Sequence, residues 1–165
     1  MISGLQLEAY RLQDLIVRFN EEWLSSTPPS PDTDLETYEV EPDFDVFNHA
    51  TEDAVMVRLS VTCTGVAGDV PPRFNEVALT VWGRFAFGEG LSEEARLQLG
   101  SFNAVAMLHG IARGSLIQAT GGCVGGPFIL PSLDYRAIIE AKLADSTGVS
   151  GSPGPVDEPE DGVEA

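Results

Sequence analysis

The residues that could carry out chemistry in this chain are few and lie far apart. No recognisable motif places a nucleophile beside either of the two histidines, His49 and His109. The two cysteines, Cys63 and Cys123, lack a neighbouring Cys or His at metal-ligand spacing, so we expect free thiols. The sequence therefore predicts a protein that is not an enzyme and that binds no metal and no other cofactor.

Two further patterns could bind an ion or a phosphate, and each has a commoner explanation. Glu39, Glu41, Asp43 and Asp45 alternate along one stretch and could hold a hard cation such as Ca²⁺, but a solvated strand edge is the commoner explanation. The glycines around Cys123 would suit a phosphate-binding loop, yet no Lys-Ser or Lys-Thr pair follows them. We interpret this glycine-rich segment as a flexible hinge.

The net charge of −17 is unevenly distributed along the 165 residues. Residues 21–53 hold eleven acids and no Lys or Arg, and residues 144–165 hold six more acids and no base. Such a field repels nucleic acid and anionic membranes and attracts a basic partner. Solubility alone would also account for it.

Length and composition indicate one domain. With 43% apolar residues, the chain can build a single core. No run approaches the roughly 18 to 20 apolar residues of a membrane span, and the first residues lack a signal-peptide pattern, which predicts a cytoplasmic protein without membrane insertion. The Ser-, Gly-, Pro- and acid-rich end predicts a disordered tail over residues 146–165, which leaves one domain over residues 1–145. Residues 25–34 are predicted to form a loop.

Four stretches are predicted to be strands from their period-two alternation, which is less regular in the first of them. They are LQLEAYRLQDLIVRF, ETYEVEPDFDVF, AVMVRLSVTCT and NEVALTVWGRFAF. Pro42 indicates that the second is an edge strand, because proline cannot donate to the ladder, and Gly83 suggests a bulge in the fourth. The connections are too short for crossover helices, which predicts an antiparallel sheet with a meander or Greek-key-like order.

Helical patterns follow the strands. They predict a short helix capped by Ser92 and ended by Gly100, a long helix from Asn103 to about Thr120, and a last helix from Ser132 or Asp134 to about Asp145. Two helices packed on one face of a four-stranded antiparallel sheet give an α+β fold class.

The long helix has two apolar sides. A broad stripe should cover the sheet, and it consists of Ala104, Met107, Leu108, Ile111, Ala112, Ser115, Leu116 and Ala119. A second stripe of small residues consists of Ala106, Gly110, Gly114 and Ile117. Because each glycine inside a helix costs roughly 1 kcal/mol relative to alanine, two on one side need a compensating reason. We predict an oligomer interface there; the alternative is that these glycines simply weaken a poor helix.

An apolar segment stiffened by prolines precedes the last helix. In VGGPFILPSLDYRAII, Pro127 and Pro131 bracket the run FIL. For Ile138 and Leu143 we expect burial in the core. For Phe128 and Tyr135 we expect exposure in a surface groove, although burial is the alternative.

Several stretches resemble the SecB-type export chaperones. FAFGEGLSEEARLQL is similar to the strand-to-helix junction of that family, ARGSLIQAT to the middle of its long helix, and GGPFILPSLDYRAII to its crossover loop and second helix. The upstream DAVMVRLSVTCTG and the acidic tail also fit, so the resemblance covers most of the chain. It implies a SecB-like fold, a homotetramer built as a dimer of dimers, and ATP-independent binding of unfolded or partly folded polypeptides.

The resemblance also implies site residues. An apolar client-binding groove would be lined by Phe44, Val46, Phe128, Ile129, Leu130, Leu133 and Tyr135. Asp14 and Glu76 are the nearest candidates for acids that contact a basic partner such as the translocase motor SecA. Two alternatives stay open. One is a chaperone of the same fold dedicated to a single client, such as an antitoxin or a phage protein, and the other is an oligomeric ligand-binding or scaffold domain whose loop is closed core.

Overall fold

The computed structural model describes residues 4–25, 34–48 and 53–147. His49, residues 26–33 of the loop predicted over 25–34 and residues 148–165 of the tail predicted over 146–165 lie outside the described residues. Residues 146 and 147 of the predicted tail belong to the last helix, so the start predicted for the tail is wrong. Within them the elements are β1 Leu5–Phe19, β2 Tyr38–Asn48, β3 Ala54–Gly65, β4 Phe74–Phe87, α1 Glu93–Gln98, α2 Ala104–Thr120 and α3 Tyr135–Thr147. Short 3-10 turns at Glu21–Ser25 and Asp34–Thr37 precede β2.

The four strands form one antiparallel sheet in the order β1-β4-β3-β2. The prediction of an α+β fold with a four-stranded antiparallel sheet is confirmed. The order is that of a Greek key, because β2, β3 and β4 are consecutive neighbours while β1 lies beside β4. A simple meander would pair β1 with β2. This order is wrong here, because β1 pairs with β4.

Alternation divides the sheet into an inner face, covered by helices, and an outer face. The inner face of β3 carries Val55, Val57, Leu59, Val61 and Cys63, all buried, as the period-two pattern predicts. Burial raises the pKa of the Cys63 thiol to about 11, so this free thiol stays protonated and unreactive at neutral pH. The bulge expected at Gly83 lies instead on β1, whose register with β4 shifts between Leu7 and Ala9 and again between Leu12 and Asp14.

The helical part of the chain is more continuous than expected. Ser92 caps α1 as predicted, because its hydroxyl oxygen accepts a hydrogen bond from the Ala95 backbone N–H at 3.2 Å. Gly100 does not end the helix, so that prediction is wrong. A π-helical turn at Leu99–Asn103 joins α1 to α2, and Gly100 is buried in this turn, where an added Cβ would make ordinary contacts with Phe87 and Val55.

Helix α2 packs on the inner face, mainly against β4 and β3. Its buried residues are Ala104, Val105, Leu108, Ala112, Leu116 and Thr120, so much of the predicted stripe is correct. Met107 and Ala119 are exposed, however, and do not join it. A Cβ added at Gly83 would lie 2.7 Å from the Leu108 side chain and 2.7 Å from Phe85, so the close approach of α2 to β4 requires glycine at this position.

Helix α3 runs toward β2, which is an edge strand as Pro42 predicts. The Asp134 carboxylate caps α3 by accepting from the Ala137 backbone N–H at 3.2 Å. Near its end, Lys142 donates to the Asp43 carboxylate at 2.7 Å and to the backbone carbonyl of Phe44 in β2. Proline and a lysine laid over the edge are two ways in which a strand is protected from further pairing.

Adding one methyl group at Gly83 should destabilise the fold. Since the new Cβ of Gly83→Ala would overlap Leu108 and Phe85, α2 must shift, and we expect a loss of about 1 to 3 kcal/mol in the free energy of unfolding. Denaturant titration measures it. The control is Gly122→Ala, where an added Cβ meets nothing within 4 Å, and equal stabilities of the two variants would contradict the packing described for α2.

Candidate functional site

The segment between α2 and α3, residues 121–134, is the crossover loop of this fold. Its backbone turns at Gly125 and Gly126, where φ is +88° and +84°, values that favour glycine over residues with a side chain. Pro127 and Pro131 then fix their own φ angles, and Pro131 also disfavours a helical conformation of Leu130 before it. The loop therefore follows a defined path across the inner face of the sheet.

Side chains along this loop alternate between buried and exposed positions. Phe128 and Leu130 are completely buried, whereas Ile129 between them is 44% exposed. The Phe128 ring meets Tyr38 edge to face at a centroid distance of 5.2 Å and Phe74 at 5.9 Å. The predicted exposure of Phe128 is therefore wrong, because two aromatic rings of the sheet form a pocket that this side chain fills.

Tyr135 is also buried, and its predicted exposure is wrong for a related reason. The Tyr135 hydroxyl lies 2.6 Å from His109 Nδ1 and links the start of α3 to the middle of α2. Burial raises the pKa of Tyr135 well above its usual value. Burial, together with the charge of Arg113, lowers the pKa of His109. At neutral pH this is a neutral imidazole bonded to a neutral phenol, which fits a structural link.

The remaining predicted groove residues differ in exposure. Phe44 is buried, with the Lys142 ammonium 4.8 Å from its ring centroid, whereas Val46 and Leu133 are partly buried. Of the seven, Phe44, Phe128, Leu130 and Tyr135 thus belong to the core, and Ile129, Val46 and Leu133 keep some accessible surface. Ile138 and Ile139 pack in the core, as expected for Ile138, whereas the side chain of Leu143 lies outside the described residues.

Within the part of the chain that the structure describes, one region of the inner face stays uncovered, and sequence reasoning missed this feature. Tyr10, Leu12 and Leu15 of β1 pair with Gly83, Val81 and Leu79, all of which face inward on β4. Yet Tyr10 is 59% exposed, and Leu12 and Leu15 are also exposed. We call these three residues the open β1 face. The signal was present in the sequence as apolar residues on a strand, but the bulges at positions 8 and 13 disturbed the alternation that would have placed them.

The small-residue stripe of α2 faces away from the sheet. Ala106, Gly110, Gly114 and Ile117 are all exposed, and a Cβ added at either glycine would meet nothing within 4 Å. The structure therefore brings these four residues together on one outward surface. Nothing within the described part of the chain packs closely against the two glycines.

Asp14 and Glu76 share the outer face of the sheet, since their register partners are Thr80 and Arg18. The Glu76 carboxylate forms an ion pair with Arg18 at 3.2 Å, so half of the predicted acidic pair is already neutralised. The Asp14 carboxylate accepts a hydrogen bond from the Gln13 amide at 2.8 Å.

The alternating acids of β2 are also partly neutralised. Asp43 and Asp45 pair with Arg58 and Lys142, and the hydrogen bond from Lys142 lowers the pKa of Asp43. In the described ranges no group of three or more His, Cys, Asp or Glu residues is placed to hold a metal ion. The helices in these ranges are also too short or too polar to cross a membrane.

Of the comparisons with known proteins, one structural match bears on the fold. No protein-family model matches the chain, and no curated protein matches it in sequence. Among solved structures, it is similar to the Mycobacterium tuberculosis SecB-like chaperone Rv1957, determined in complex with a ChAD peptide from the Rv1956 HigA1 antitoxin. That match has a TM-score of 0.53 and 20% identity and covers 79% of this chain and 88% of the other.

A second match is a protein of unknown function from Streptococcus agalactiae. It has a TM-score of 0.45 and 14% identity and covers 78% of this chain and 97% of the other. The strand order, the long helix and the crossover loop, together with the match to Rv1957, show that this chain has a SecB-like fold.

Proposed function

We propose that this protein is an ATP-independent chaperone that holds non-native polypeptides. The observation that carries the proposal is the crossover loop, which presents Ile129 at the surface between two completely buried anchors, Phe128 and Leu130. A rigid apolar contact binds an extended polypeptide without first losing conformational entropy of its own. Val46 and Leu133, both partly accessible, are the other proposed client contacts.

The surface of this protein fits a chaperone with one dedicated client better than a chaperone that serves protein export. The related fold of Rv1957 is described with a peptide from an antitoxin, so a SecB-like fold is compatible with one dedicated client. For an export role, SecA would have to use Asp14 and Glu76, and Glu76 is already bonded to Arg18. We therefore place a dedicated client, such as an antitoxin or a phage protein, first, and an export role through SecA second.

The negative charge of this protein indicates that its partner is positively charged. Glu39 and Glu41 on β2 are exposed, and the chain as a whole carries −17. A basic client or a basic motor protein would be attracted over a distance of about 8 to 10 Å at physiological salt. The acid-only segments thus favour a basic polypeptide over an acidic one.

Assembly completes the proposal, since residues 4–25, 34–48 and 53–147 of one subunit leave two apolar surfaces uncovered. These are the open β1 face and the outward stripe of α2. The edge of β2 is protected by Pro42 and Lys142, which leaves β1 as the sheet edge suited to pairing with a second copy. Two different surfaces can build a dimer of dimers, and we propose a homotetramer.

Replacing Ile129 by serine should weaken client binding without unfolding the protein. Ile129→Ser removes an exposed apolar contact, so we expect a change in stability within about 0.5 kcal/mol and a clear loss of aggregation suppression. Thermal melting and light scattering of a denatured model protein measure the two effects. Phe128→Ser should behave differently and lose about 3 to 5 kcal/mol of stability, because it empties a core site.

The matched control is Val70→Ser, which removes an apolar side chain of similar exposure from the β3–β4 connection. Full holding activity in Ile129→Ser would contradict the client surface proposed for the loop. It would favour the alternative of a scaffold or ligand-binding domain.

Light scattering should give the wild-type chain a mass near four subunits. Gly110→Leu should reduce this mass to that of a dimer or a monomer, since the added side chain has open space within its own subunit and would disturb only a neighbouring one. Gly122→Leu, at another open position outside α2, is the control. A wild-type protein that is monomeric at micromolar concentration would contradict the proposed assembly.

A further inference from the structure

A buried arginine holds the crossover loop from the side of the sheet. Arg73 directly precedes β4, and only 3% of its surface is exposed. Burying a guanidinium is expensive unless its N–H groups find acceptors. A buried charge at the start of a strand therefore indicates a specific set of contacts.

Those contacts are made with the backbone of the loop. Arg73 Nη1 donates to the Gly126 carbonyl oxygen at 2.8 Å, and Nη2 donates to the Pro127 carbonyl oxygen at 3.4 Å. The guanidinium carbon also lies 4.7 Å from the centroid of the Phe74 ring. The planar fork of arginine can reach two successive carbonyls in this way, whereas the single ammonium of lysine cannot reproduce the geometry.

The loop backbone is shaped to approach this arginine. At Gly125 an added Cβ would lie 2.9 Å from the Trp23 ring and 3.1 Å from the Arg73 side chain, and φ is +88°. At the other end of the same stretch, the Phe128 backbone N–H donates to the Thr120 hydroxyl oxygen at 2.7 Å. Arg73 and Thr120 therefore fix the loop on both sides of Pro127.

This anchoring determines which side chains of the loop point inward. Shifting the loop by one residue would place Ile129 in the pocket between Tyr38 and Phe74 and bring Phe128 and Leu130 to the surface. We propose that Arg73 is the positioning residue of the client-binding surface, and that its hydrogen bonds to Gly126 and Pro127 keep Ile129 outward. This inference rests on the proposed function, because the client surface itself does.

Hydrogen exchange with mass spectrometry tests the anchoring directly. In Arg73→Lys, the amides of residues 123–130 should exchange at least about tenfold faster than in the wild type, because charge-assisted hydrogen bonds to the loop are lost. The amides of β3 and β4 should be unchanged. Gly125→Ala disturbs the same contact from the loop side and should give the same pattern. Arg11→Lys, at an exposed arginine on β1, is the matched control and should match the wild type.

The same variants are then tested for binding of fluorescently labelled, reduced and carboxamidomethylated lysozyme, a permanently unfolded polypeptide that is basic, as the charge of this protein requires. We expect affinity to fall by about tenfold in Arg73→Lys and in Gly125→Ala, and to be unchanged in Arg11→Lys. Unchanged loop exchange in the first two variants would overturn the anchoring, and faster exchange with unchanged affinity would overturn the positioning role. If Arg73→Lys does not fold, Arg73→Gln, which keeps N–H donors without the charge, takes its place. A wild-type protein that binds no client contradicts the proposed function instead, and loop exchange still reports whether Arg73 anchors the loop.

Discussion

The structure depends on how one apolar face of a four-stranded sheet is covered. Strands lie about 4.8 Å apart and a helix with its side chains is about 10 Å across, so a single helix covers about two strands. Helix α2 packs on β4 and β3. The crossover loop covers β2, where Phe128 meets Tyr38, and Lys142 of α3 extends to the edge of that strand. The described residues leave the middle of β1 without a cover, which is why Tyr10 is exposed on the inner side, whereas Leu5 at the start of the strand is buried.

This constraint explains the assignment of surfaces. The loop cannot both complete the core and present its aromatic side chains to clients, and the first requirement prevails at Phe128 and Tyr135. The side chain that remains for the proposed client contact is Ile129, which lies on the opposite side of the loop from Phe128. The open β1 face and the outward stripe of α2 are then the surfaces proposed to contact other copies of the same chain. The proposed roles of client surface and assembly surface thus come from different elements of one subunit.

Much of this could be predicted from the sequence, since strands with one buried face show period-two alternation. The bounds of β1, the edge position of β2 and the Ser92 cap are examples. Period two does not say which alternate set is buried when both are apolar, as in the run from Phe128 to Leu130, so the loop was assigned wrongly. The helix end predicted at Gly100 is wrong because a π-helical turn continues through this residue, and glycine permits a helix end without requiring one. Arg73 carried no local pattern, because its acceptors lie more than fifty residues away in the chain.

The central claim is that clients contact the outward side of the crossover loop. Placing a photo-crosslinking amino acid at position 129, and separately at position 70, tests it most directly in the presence of an unfolded polypeptide. The account predicts strong crosslinks from position 129, which lie on the client when mapped by mass spectrometry, and few from position 70. Equal yields from the two positions, or crosslinks from position 129 only to other copies of the chain, would contradict it.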